Sequence, residues 1–387
     1  MSNDMVSPNA HAVRDAAGGT FYGLMYLAFA TLAYTDQASK KIVNVSVDLH
    51  KDVAALPPPP IAGGGSISGQ WSVDWGPGIF NVDQNLMYIA SFREAGSTNP
   101  VITVLSIRGT DIFAAPAAIL GQVFQDTADW LRVKWSRASS DAAHPCEPEI
   151  NPFDESPKIA SGTCHGLKRL RAMMQVPSGG TSAMPAEQYL ETLLQDDPDL
   201  PIVVTGHSLG GCQTTVMAMH LADVLPSGTR VLANPYAAPT AGNAGFAALY
   251  DQRFGNGNGN VWWNTLDLVP NAFARGSETT PGNLSWAEGL WQDHGGPRDE
   301  VMHTLIARLQ NTLPRYQQPA AGAVTLVGSV ATPDFIARWL GDLPNPPRPD
   351  SWTAQMLWQH FPPNHYELIE QQIPSVAPYP YPGKLPE

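Results

Sequence analysis

Basic residues are scarce in this chain. Lys and Arg number 22 against 35 Asp and Glu, a net charge of −13 over 387 residues. No positive surplus exists to neutralise phosphates, which argues against nucleic-acid binding. Charge of either sign is thin, at 15% against the usual quarter, while Pro (36), Gly (34) and Trp (11) are plentiful. That balance suits a loop-rich enzyme with considerable apolar surface, and it leaves neutral esters and lipids open as ligands.

Long apolar runs are missing too. The strongest, Phe21 to Ala33, is about 13 residues long, against roughly 20 for a spanning helix. Asp4, Arg14 and Asp15 precede it in place of a basic cluster, and no small-residue cleavage site follows, so it does not read as a secretory leader. The expectation is a buried amphipathic helix in a cytoplasmic protein, with leader-independent export as the alternative. Three cysteines are too few for a disulfide framework. Cys146 and Cys164 bracket a Pro-rich loop and would form one bridge in an oxidising compartment, and Cys212 is expected to be a buried free thiol. No spacing calls for a metal. His144 near Cys146, and Cys164 beside His165, are read as incidental.

What is present is an alternation of strands and helices, with no internal repeat. Met1 to Gly19 reads as loose, Phe21 to Tyr34 and Ile42 to Val53 as helices, and Leu56 to Gly65 (LPPPPIAGGG) as an exposed loop. Strands are expected at Trp71 to Trp75, Leu86 to Phe92, Val101 to Ile107, Pro201 to Thr205, Thr229 to Asn234 and Asn260 to Thr265. Helices are expected at Leu167 to Met174, Pro185 to Leu194, Val301 to Leu309 and Pro333 to Leu340, and near Tyr366. Such an order predicts an α/β protein with a mostly parallel sheet covered on both faces. No linker divides the chain, so residues 1–387 are read as one domain. It has a core over about 71–370, an N-terminal helical extension over 1–55 and an insertion over about 271–350.

Pro201 to Leu221 (PIVVTGHSLGGCQTTVMAMHL) concentrates the chemistry. Ile202, Val203 and Val204 suit a buried strand, Gln213 to His220 read as a helix, and Gly206-His207-Ser208-Leu209-Gly210 joins them in a Gly-x-Ser-x-Gly turn. Such a turn strains the serine backbone and exposes its hydroxyl above the sheet. By itself the pattern arises by chance in roughly one chain of this length in ten; the flanking strand, helix and Gly211 make Ser208 a nucleophile candidate.

A serine hydroxyl needs a base to accept its proton and a carboxylate to orient that base. In α/β-hydrolases the order is serine, acid, histidine. Asp267, in NTLDLVP at the end of a predicted strand, is the best acid. For the base, His207 lies inside the turn and is set aside, and His220 is too far along the helix. His360 is favoured, in the loop before a helix opened by Pro362 and Pro363; His365 on the first turn comes next, then His294 and His303. An oxyanion hole needs N–H donors aimed at the developing charge. Leu209 supplies one, and Thr110, after Arg108-Gly109 at the end of the VITVLSI strand, the other.

These motifs together resemble the class 3 lipases, the fungal-type lipases of the α/β-hydrolase superfamily. SIRGTD (Ser106 to Asp111) is similar to that family's oxyanion loop, and Asp129-Trp130 to its Asp/Asn-Trp pair. Cys164-His165-Gly166-Leu167 resembles its His-x-Gly-Phe segment. TGHSLGG resembles its elbow, Ala237 to Tyr250 its Gly-x-Pro-x-x-Gly-Asn-x-x-Phe stretch, and WNTLDLVP its acid motif. QHFPPNHY is similar to its histidine segment. The resemblance implies a serine carboxylic-ester hydrolase acting on acylglycerols through an acyl-enzyme, with Ser208, Asp267 and His360 as triad and Thr110 and Leu209 as oxyanion hole. It implies no cofactor, no nucleic acid, no transmembrane segment, and transient contact with a lipid–water interface. An esterase or phospholipase acting on more polar esters, or a non-catalytic hydrolase-like scaffold, is the alternative. Asp111 to Asp129 and Asp267 to His360 are longer than the family pattern. The apolar segment Ile112 to Phe124 reads either as a flap over the acyl pocket or as a core helix.

Overall fold

The computed structural model describes residues 7–34, 42–79, 85–109, 132–136, 154–175, 183–271, 316–320, 322–341 and 346–383, with the single positions 146, 300, 302, 304 and 307. Among the described residues the strands are β1 Gly69–Ile79, β2 Leu86–Glu94, β3 Pro100–Ile107, β4 Arg132–Lys134, β5 Lys158–Ala160, β6 Ile202–His207, β7 Val231–Tyr236, β8 Val261–Asn264 and β9 Ala323–Leu326. Seven of them make one sheet in the order β1-β2-β3-β6-β7-β8-β9, and β4 pairs with β5 apart from it. The pairings β1–β2 and β2–β3 are antiparallel. From β3 through β9 the sheet is parallel. The fold is therefore the mostly parallel α/β architecture expected.

Strand residues alternate between two apolar cores. Ile102, Val104 and Val203 belong to one, while Leu105, Ile107, Ile202 and Val204 belong to the other. Side chains on a strand point to opposite faces in turn, so a strand covered on both faces reads as an unbroken apolar run. The helices Ser161–Ala172, Ala186–Asp196, Leu209–Val224 and Ala244–Phe254 contribute to one core. N-terminal helices and Pro362–Gln372 contribute to the other.

The helix Gly23–Leu32 is buried on every side, so the expected amphipathic character is absent. Its polar partners come from the strands beneath. Tyr236 donates its hydroxyl to Gly23 O (2.5 Å), Thr205 to Tyr26 O (3.2 Å), and Ser106 (3.0 Å) and Tyr88 (2.7 Å) to Phe29 O. Three helical residues rise about 4.5 Å, close to the roughly 4.8 Å between strands. The helix thus crosses β7, β6 and β3 at one carbonyl per strand. No helix among the described residues is long and apolar enough to cross a membrane.

Met1 to Gly19 is not wholly loose as expected. Pro8–Ala16 is a helix, with Pro8 in the first turn and the Ser7 hydroxyl capping Ala10 N–H at 3.1 Å. Ala10, Val13 and Ala17 are buried, a spacing of three and four that puts them on one helical face. Arg14 ties the helix to the carbonyls of Pro100 and Val101 and to Asp197. Tertiary packing decides this short helix. The strand β9 was also missed, because four residues (AVTL) show too little alternation to identify alone. Its register with β8, Val261 opposite Ala323 through Asn264 opposite Leu326, supplies the strand.

Cys146 and Cys164 form a disulfide, and Cys212 is a buried free thiol. Burial pushes the Cys212 thiol up to about 12.

Candidate active site

The turn between β6 and the helix Leu209–Val224 holds Ser208 at φ 61°, ψ −129°. A positive φ on a non-glycine residue is strained and has to be imposed by its surroundings. Here the elbow presses on β3. A Cβ on Gly210 would lie 2.2 Å from Ile107 O, so only glycine admits this approach. Gly109, at the exit of β3, is as tight: a Cβ there would meet His207 O at 2.5 Å and Ser208 Cβ at 3.1 Å. Ser208 N–H is engaged with Tyr236 O at 3.0 Å. Leu209 opens the helix, where first-turn N–H groups lack intrahelical acceptors, and so has a donor to offer beside the hydroxyl. Thr110 lies outside the described residues; it directly follows the Gly109 that touches the elbow.

Ser208 Oγ lies 2.8 Å from His360 Nε2. His360 Nδ1 lies 2.8 Å from Asp267 Oδ2 and 3.0 Å from Oδ1. The carboxylate can only accept, so the ring proton sits on Nδ1 and Nε2 is free to receive the serine proton. Ser208 and Asp267 are fully buried and His360 nearly so. Asp267 Oδ1 also accepts Val269 N–H at 2.9 Å, and Asn271 donates to the Asp267 carbonyl at 2.7 Å. The loop after β8 is thereby fixed from both sides.

Three of the five expected site residues meet in one hydrogen-bonded line, and Leu209 adjoins it. His360 does not lie in a loop, as expected, but ends the helix Trp352–His360; Phe361 alone separates it from the helix Pro362–Gln372. His365 is not bonded to the serine. Its Nδ1 donates to Phe361 O at 3.1 Å and its Nε2 approaches Asp267 Oδ2 at 3.7 Å. Burial pushes its pKa down. His294, His303, Asp129, Trp130 and the segment Ile112 to Phe124 lie outside the described residues.

Two neighbours of the triad escaped sequence reasoning. His207 is completely buried, and its Nε2 donates to the His360 carbonyl at 2.7 Å. Burial, with His360 and His365 close by, holds His207 well below the ordinary imidazole range. Asn264, also fully buried, donates to Gln359 O at 3.0 Å and to Gln359 Oε1 at 2.8 Å. Gln359 in turn donates to Ser329 O at 2.8 Å. The only sequence signal was position: one residue precedes the nucleophile and the other ends the strand before the acid.

Residues 127–276 match the family model described as lipase (class 3). Over that stretch the chain is similar to the class 3 lipases. It is accordingly a carboxylic ester hydrolase of the lipase type, with a lipid ester as substrate. The matched stretch holds Ser208 and Asp267, and the fold brings His360 to them from beyond it. Among solved structures, the M37 lipase is 21% identical and shares the fold over 94% of both chains at a TM-score of 0.60. The Lip2 lipase of Yarrowia lipolytica is 16% identical over 64% of this lipase and 72% of its own chain, at a TM-score of 0.37. A mono- and diacylglycerol lipase from Aspergillus oryzae is 16% identical over 64% and 71%, at 0.36. No curated protein matches the sequence.

Proposed function

We propose that the enzyme hydrolyses acylglycerols through a covalent acyl-enzyme on Ser208. The observation that carries this is the continuous line from Ser208 Oγ through both nitrogens of His360 to Asp267, with contacts of 2.8 Å at each end. Ser208 Oγ attacks the ester carbonyl carbon as its proton passes to His360 Nε2. Asp267 holds the ring and stabilises the imidazolium that forms. The carbonyl electrons move onto oxygen, where the N–H groups of Leu209 and Thr110 receive the negative charge. The tetrahedral intermediate collapses, the C–O bond to the glycerol oxygen breaks, and His360 returns the proton to that oxygen. Water then attacks the acyl-enzyme, giving its proton to His360, and the fatty acid leaves as Ser208 regains its hydrogen.

Labelling with an active-site phosphonate tests the nucleophile: modification is expected at Ser208 and absent in Ser208→Ala. An unlabelled Ser208 in the folded protein would refute the mechanism. Relative rates on tributyrin, a long-chain triacylglycerol emulsion and phosphatidylcholine test the substrate. Preference for phosphatidylcholine, or for soluble esters alone, would replace the acylglycerol assignment. The Cys146–Cys164 bridge supports placing this activity in an oxidising compartment, where such bonds persist, and so favours the exported alternative over the cytoplasm.

A further inference from the structure

The base sits at the last position of a helix, and helix ends carry an unmet demand. The final carbonyls of any α-helix lack intrahelical donors and need others. In Trp352–His360 the Trp358 carbonyl takes Phe361 N–H at 3.2 Å. The next two carbonyls are met from elsewhere in the fold. Gln359 O accepts from Asn264 at 3.0 Å, with Asn364 more distant at 3.4 Å. His360 O accepts from His207 Nε2 at 2.7 Å. A carbonyl only accepts, so the neutral His207 carries its proton on Nε2. Its Nδ1 is left to face the Tyr34 hydroxyl at 3.5 Å.

The origin of the two donors is what gives the cap its consequence. His207 is bonded through the main chain to Ser208, the nucleophile. Asn264 closes β8 three residues before Asp267, and its side chain also accepts Leu266 N–H at 3.0 Å. The nucleophile's turn and the acid's loop each hold the base helix by one carbonyl. We propose that His207 and Asn264 are positioning residues, which cap the helix ending in His360 and thereby set its imidazole between Ser208 and Asp267. The proposal rests on the triad assigned above. Neither residue touches substrate; both act through His360. Losing His207 leaves the buried His360 carbonyl without its donor, and losing Asn264 leaves Gln359 O with only the longer contact from Asn364; either change frees the helix end to shift. A displacement of about 1 Å in a reacting group costs on the order of 10²-fold in rate.

His207→Phe keeps a ring and removes the donor, whereas His207→Gln can present an amide N–H near the same place. Asn264→Asp keeps the shape and turns the donor into an acceptor facing two acceptors. Turnover of tributyrin is measured per active site, counted by complete phosphonate labelling, so that misfolded protein does not enter the rate. The expected result is a kcat lower on the order of 10²-fold in His207→Phe and Asn264→Asp, with KM little changed, and recovery of most of the loss in His207→Gln. A cap that served folding alone would reduce the number of sites and leave the rate per site intact, and that result would overturn the proposal. So would a His207→Gln as slow as His207→Phe. Asn264→Asp carries the test if His207→Phe does not fold. Ser208→Ala is run beside them: activity surviving there overturns the triad itself and the proposal with it, whereas activity lost there but intact in His207→Phe overturns only the cap.

Discussion

Replacing Asp267 by asparagine should disable the enzyme without unfolding it. The reason lies in which oxygen holds which donor. Asp267 Oδ1 accepts Val269 N–H at 2.9 Å, and Oδ2 makes the shorter contact to His360 Nδ1, 2.8 Å. An asparagine of the same shape would keep its oxygen toward Val269, because its amino group cannot accept that bond. The amino group then stands where Oδ2 stood and presents a donor to His360. Nδ1 has to become the acceptor, so the ring proton moves to Nε2 and points at Ser208 Oγ, 2.8 Å away. The base is occupied before the reaction starts. In the serine-protease triad the equivalent exchange costs about 10⁴ in kcat, or ~5.5 kcal/mol at ~1.36 kcal/mol per tenfold. A loss of that order is expected in Asp267→Asn, measured on tributyrin at saturating substrate. The melting temperature should hold, since the exchange keeps the volume and removes a buried charge. Asp267→Asn turning over within about tenfold of the parent enzyme would refute both the tautomer assignment and the orienting role of Asp267.

Ser208→Ala and His360→Ala should each remove on the order of 10⁴-fold of the hydrolysis, and the double variant should lose no more than either, because the groups act as one unit; multiplied losses would show that they do not. Thr110 can offer the oxyanion its hydroxyl as well as its N–H, and Thr110→Val removes only the hydroxyl, so kcat should fall by about tenfold or more with little change in KM; an unchanged kcat would take the hydroxyl out of the oxyanion hole. Cys146→Ser should destabilise the fold by about 3 kcal/mol, read from the urea midpoint, since the bridge closes a loop of 18 residues; an unshifted midpoint would show that the loop is restrained without it. Burial depresses both His207 and His365. Unfolded, each takes up a proton near pH 6.5, but folded only at lower pH. Stability should therefore be full above about pH 6.5 and fall below it, by up to ~1.4 kcal/mol per pH unit for each histidine. His365→Gln should flatten that fall in a melting series, and an equally steep series would exclude His365 as a contributor.

Local pattern was enough where one element supplied everything. β3 and β6 are buried on both faces, so VITVLSI and IVV read as strands with no knowledge of their neighbours. The Gly-His-Ser-Leu-Gly turn carries its own constraint, because the packing of Gly210 against Ile107 O leaves no room for another residue there. Ser208 and Asp267 lie at the ends of strands that the apolar pattern located. Sequence order and residue type also narrowed the base to the C-terminal histidines.

Other features depend on atoms brought together from distant parts of the chain. His360 and His365 stand five positions apart with similar flanks, and only the meeting of β8 with the helix Trp352–His360 puts one at 2.8 Å from Asp267 Oδ2 and the other at 3.7 Å. The helix Pro8–Ala16 is held by Arg14 to Pro100, Val101 and Asp197, residues that its own sequence does not announce. His207 looked excluded because a residue inside the elbow cannot reach the serine as a base. Its contact with the His360 carbonyl spans 153 residues of chain, and no local spacing encodes it. Composition and periodicity determine which segments are buried and in what secondary structure. Which buried donor meets which buried acceptor is decided when the segments pack, because each such pair is satisfied only there.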